Sequence, residues 1–197
     1  MRHLVLAIAL WPVLASAHEL ERTNVRVAFA RDGTFVVDVS NDPAWLLLRL
    51  EPFAGRAVPA ALTSADRDRR LAELAPVFVD RVVLFVDGRE VRPESCDYLR
   101  AGADPIGIYR LRGHLPRGSR SLRWFYGLVI DPYRLTIRHA NGDTETAWIA
   151  GEAWSAPIDV SGEFLRPYWV ETGALVAIFL VLLGLRIGRR PRRLRSA

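Results

Sequence analysis

The sequence predicts a mainly β chain: an immunoglobulin-like β-sandwich carrying a short helical insertion, followed by one transmembrane α-helix. Three observations carry this reading. Short runs in which apolar and polar residues alternate recur between turn signals, as they do in half-buried strands. A stretch with helical spacing interrupts them. An uncharged aliphatic run followed by clustered arginines closes the chain.

Residues 1–17 have the layout of a signal peptide, with Arg2 and His3 before an apolar run from Leu4 to Leu14 and a small-x-small end at Ala15-Ser16-Ala17. Cleavage there would make His18 the first residue of an exported β-sandwich domain covering 18–163. Within it, Val25, Val27 and Phe29 alternate with Arg26 and Ala28, and Phe35, Val37 and Val39 alternate with Val36 and Asp38. A two-residue turn would put the two apolar sets on opposite faces. A three-residue loop, Arg31-Asp32-Gly33, sets Phe29 opposite Phe35 and Val27 opposite Val37, with Gly33 at the position that needs positive φ.

Asn41-Asp42-Pro43 combines a capping residue with proline in a first turn, so Trp45 to Leu50 reads as a short helix. Thr63 or Ser64 opens a second helix with Leu71, Leu74 and Phe78 on one face and an Asp66–Arg70 pair on the other. Pro76 must end or kink it. Strands are predicted again at Arg81 to Val86, Arg89 to Val91, Ile108 to Gly113, Ser121 to Ile130, Tyr133 to His139 and Glu145 to Ile149. Asp87-Gly88 and Asn141-Gly142 are the turn signals between neighbouring pairs.

Thr172 to Leu185 is apolar, and Tyr168, Trp169, Val170 and Ile187 extend it to the ~20 residues a bilayer requires. The sequence therefore predicts a transmembrane helix at 166–187 and a cytoplasmic arginine-rich tail at 188–197. The expected location is a cell membrane, single-pass, with the N-terminal domain outside the cytoplasm, periplasmic or extracellular. The net charge of +5 has the same origin. Arg2, Arg186, Arg189, Arg190, Arg192, Arg193 and Arg195 lie at the two ends, and the rest of the chain is slightly acidic, which argues against a nucleic-acid partner.

The chain has no Gly-x-Ser-x-Gly elbow, Walker loop, dinucleotide fingerprint, His-Glu-x-x-His or Cys-x-x-Cys, and no lysine. A non-enzymatic chain is the resulting expectation. Cys96 is the single cysteine, so no intrachain disulfide can form, and it reads as a half-buried passive thiol. Signal cleavage would free the His18 amine beside its imidazole, a pair suited to copper or nickel that needs further ligands. Strand parity makes His139, on the face of Leu135 and Ile137, the candidate second ligand and leaves His114 exposed. Consecutive aromatics at Trp124, Phe125 and Tyr126, with Trp148 and Trp154 downstream, must alternate between core and surface.

Several of these segments occur together in a known setting. Ala17-His18, the hairpin, Asn41-Asp42-Pro43-Ala44-Trp45-Leu46-Leu47, the charged helix, Asp87-Gly88, and Gly151 to Ile158 with Ser155 and Pro157 resemble the exported N-terminal region of HupE/UreJ-like membrane proteins over about residues 17–160. That family is associated with hydrogenase and urease maturation and with nickel or cobalt transport. The resemblance implies the sandwich fold and no site residue, because the multi-helix transport part has no counterpart here. The expected role is an interaction or accessory component that binds another membrane or envelope protein. The alternative is a metal-binding or metal-delivery module built on His18.

Overall fold

The computed structural model describes residues 23–100 and 106–164. Its first hairpin shows how pattern becomes register. Strands β1 (Asn24–Phe29) and β2 (Thr34–Asn41) pair antiparallel with Val27 opposite Val37 and Phe29 opposite Phe35, as the face argument requires. Ala30 N–H donates to the Thr34 carbonyl at 2.9 Å, and Gly33 takes a φ of 85°, where a Cβ would be strained. Asp32 Oδ1 accepts from Thr34 N–H at 2.9 Å, and that bond holds its carboxyl below the usual range.

Helix α1 (Pro43–Phe53) starts where the cap signal places it. Asp42 Oδ1 accepts from the N–H groups of Ala44 and Trp45, both at 2.8 Å, and Pro43 occupies the first turn. Pro76 divides the second helical stretch into α2 (Ser64–Glu73) and α3 (Ala75–Val79), since proline has no N–H with which to continue the ladder. Leu71, Leu74 and Phe78 form the buried face. The expected Asp66–Arg70 pair does not form. Asp66 pairs with Arg69, while Arg70 reaches Glu51 of α1 through Nε at 2.5 Å and Nη2 at 3.2 Å. Glu51 is fully buried, so its carboxylate needs that guanidinium far more than an exposed aspartate does.

The remaining strands are β3 (Val82–Val86), β4 (Arg89–Val91), β5 (Ser95–Arg100), β6 (Gly107–His114), β7 (Ser121–Tyr126), β8 (Tyr133–Arg138), β9 (Thr144–Ile149) and β10 (Ile158–Asp159). They form a six-stranded sheet ordered β5-β6-β2-β1-β8-β9 and a four-stranded sheet ordered β10-β7-β3-β4. The inner faces share aromatic side chains whose polar atoms are bonded. Trp124 Nε1 donates to Tyr133 Oη at 3.0 Å, and Tyr126 Oη donates to Asn41 Oδ1 at 3.1 Å, each joining one sheet to the other. Phe78 of α3 stacks on Tyr109 with centroids 3.9 Å apart and lies 5.7 Å from Tyr126, so the helices close one end of the core. Tyr109 Oη donates to the Leu71 carbonyl at 2.6 Å. Burial raises the phenols of Tyr109 and Tyr126, and pushes that of Tyr133 up to about 12.

The six-plus-four arrangement, with a parallel β1–β8 pair, fits the expected β-sandwich, and β5 and β10 are strands that the alternation did not reveal. One part of the expected fold class is corrected. Among the described residues, no helix is long and apolar enough to cross a membrane. The longest of them, α1, has 11 residues, which at ~1.5 Å each reach about half of a ~30 Å hydrocarbon layer, and it carries Arg49 and Glu51. The transmembrane helix and the single-pass location at a cell membrane are therefore corrected for the described residues, which contain no such span. The signal peptide at 1–17, the span at 166–187 and the tail at 188–197 fall outside the described residues.

Candidate functional site

The histidine selected by strand parity holds the chain together. His139 follows β8 on the face of Leu135 and Ile137, with its side chain 19% exposed. Its Nδ1 lies 2.5 Å from Glu163 Oε1, its Nε2 lies 3.6 Å from Glu145 Oε1, and its ring stacks 6.3 Å from that of Phe29. Glu163 is buried, and its Oε2 accepts from Ala140 N–H at 2.8 Å. One carboxylate therefore ties the segment after β10 to the Asn141-Gly142 turn between β8 and β9. His18 lies outside the described residues, so the structure does not bring the two histidines together. With Nδ1 engaged, His139 and Glu145 offer two donors, fewer than the four a structural zinc site uses. Among the described residues, no group of three or more His, Cys, Asp or Glu is arranged to hold a metal ion.

His114 is exposed on β6, as parity requires, and its Nδ1 lies 2.8 Å from Glu94 Oε1. Cys96 is half-buried on β5. Burial, with a smaller contribution from the Asp97 charge, pushes its thiol up to about 12, which makes it a poor nucleophile.

A different surface stands out on the four-stranded sheet. Trp124 and Tyr126 point inward and are fully buried, so Phe125 between them points out. The β3–β7 register places Val83 opposite Phe125 and Phe85 opposite Arg123, which puts these side chains on the same outer face. Trp154 completes the group, at 5.1 Å from Phe125 and 5.9 Å from Phe85, measured between ring centroids. The Arg123 guanidinium lies 5.3 Å from the Trp154 ring centroid, within cation–π range. Phe85 and Trp154 remain 37% and 40% exposed.

Trp154 is held there by its successor. Ser155 N–H donates to the Trp124 carbonyl at 2.9 Å, and Ser155 Oγ accepts from Trp124 N–H at 2.9 Å. The chain can enter this clamp because Gly151 turns at a φ of 54°, a position where a Cβ would strike the Ile130 carbonyl. Sequence reading isolated Phe125 and Trp154 but missed Phe85 and Arg123. Their signal was the parity of β3 against β7, which needs the register between two distant segments. Trp148 is also exposed, on β9 in the other sheet.

Comparison of the chain with protein-family models, curated proteins and solved structures finds no match. The resemblance to the exported region of HupE/UreJ-like proteins gains no support from them.

Proposed function

We propose that this domain is a non-enzymatic interaction module that binds another protein through the outer face of its small sheet. Phe85, Phe125 and Trp154 form the apolar centre of that surface, and Arg123 its polar margin. The observation that supports the reading is the Ser155 clamp, which fixes a tryptophan over an exposed sheet face. Tryptophan and arginine dominate the energetics of protein interfaces. Rings already ordered by mutual contact lose little side-chain entropy when a partner covers them. The titratable cluster at His139 and Glu163 serves the fold, which accords with a binding role.

Photo-cross-linking from inside the native cell tests this. A photoreactive residue replacing Phe85 in the full chain should give a discrete adduct with another protein. The same residue at Asn141, in the β8–β9 turn, should not, and adding Trp154→Ala should abolish the adduct. An adduct of equal yield from Asn141, or one undiminished by Trp154→Ala, would contradict the proposal.

A further inference from the structure

A second recess lies in the helical layer, apart from the aromatic face. It has a volume of about 410 Å³ and is walled by α1 and the extended stretch 58–62, with Trp45, Leu48, Val58, Pro59 and Leu62 supplying apolar surface. This falls in the ~300–1,000 Å³ range of small-molecule sites. Leu48, Val58 and Leu62 are 55%, 40% and 40% exposed, so the apolar wall opens to solvent.

Arg67 of α2 also lines this recess. Its Nε is buried and has no hydrogen-bond partner among the described residues. Arg70, one turn further along α2, has its guanidinium engaged by Glu51 and Glu73. A buried donor without an acceptor is unfavourable, and Arg67 forms no ion pair among the described residues. The other charged group at the recess is Asp42, whose Oδ1 is taken up by the first N–H groups of α1. Of the two charged side chains at the recess, Arg67 is thus the one without a partner among the described residues, and a carboxylate offers a guanidinium two parallel charge-assisted hydrogen bonds.

We infer that this recess binds an aliphatic monocarboxylate, with its chain against Trp45, Leu48, Val58 and Leu62 and its carboxylate on Arg67. Titration of the full chain with decanoate, below the concentration at which it forms micelles, should show saturable binding of one molecule per chain. Trp45 in the wall gives a fluorescence readout. Decanol, which has the same chain without the charge, should bind about ten- to a hundred-fold more weakly, and Arg67→Gln should weaken decanoate by a similar factor. Leu62→Asp obstructs the apolar wall and leaves Arg67 in place, so it should also weaken binding. Trp154→Ala should leave decanoate binding unchanged, which separates this site from the aromatic face. Absence of saturable decanoate binding, equal affinity for decanol, or undiminished binding by Arg67→Gln would overturn the assignment. Tighter binding of an apolar tripeptide with a free C-terminal carboxylate would overturn the choice of an aliphatic chain.

Discussion

The two faces of β7 carry the same kind of side chain under opposite conditions. Trp124 and Tyr126 face inward, are fully buried, and each has its polar atom bonded to the opposite sheet. Phe125 faces outward, where it meets Trp154, Phe85 and Arg123. On the inner face the hydrogen bonds are obligatory, because an indole N–H removed from water must find an acceptor. On the outer face, ring contacts and a guanidinium hold the group while solvent still reaches it. Loss of an inner residue should damage the fold, and loss of an outer one should damage binding.

That contrast can be broken from the inside first. Phe78→Ala removes the ring packed between Tyr109 and Tyr126, and should lower stability by about 3–5 kcal/mol in denaturant titration. Tyr133→Phe keeps the ring but orphans the Trp124 indole N–H, so a loss of about 1–3 kcal/mol is expected. A value near zero would mean that the bond between the sheets contributes nothing.

Alkaline pH probes the same interior more gently. Cys96 is pushed up to about 12 by burial from an ordinary value of 9.0, and Tyr133 up to about 12 from 10.0. The folded chain retains these protons above the pH at which the unfolded chain releases them. Their contribution is therefore fully present below about pH 9 and declines as pH rises towards about 12. Roughly 2 kcal/mol should be lost by about pH 10, reduced to the extent that solvent screens the partly exposed thiol, and measurable as a fall in the denaturation midpoint. The smallest effect on stability belongs to the outer face. Trp154→Ala should cost about 1–2 kcal/mol, less than Phe78→Ala, because 40% of the indole surface is already in water.

Local chemistry was legible in the sequence, and distant partnership was not. The register of the first hairpin followed from keeping Val27 and Val37 on one face. Asp42, Pro43 and Pro76 marked helix boundaries through capping and the missing proline N–H. The parity of Trp124, Phe125 and Tyr126 left two alternatives, and the structure selects the one with Phe125 outside. Arg70 was assigned to Asp66 because four residues separate them, yet burial of Glu51, nineteen residues away, decides its partner. The His139–Glu163 contact and the Ser155 clamp span 24 and 31 residues, which no local pattern encodes. β5 escaped because its exposed and half-buried positions lack a clear apolar alternation. The spanning helix was inferred from an apolar run with flanking aromatics and arginines, and among the described residues no helix has that length and character.

The central claim is that Trp154 binds a protein and does not merely cover the sheet. The direct measurement is the affinity of the wild-type chain and of Trp154→Ala for the protein cross-linked from Phe85. The account predicts binding weakened about thirty-fold or more, the effect of losing a ~2 kcal/mol hot spot, in a chain that still unfolds cooperatively at a modestly lower midpoint. Equal affinity for the two chains would contradict it.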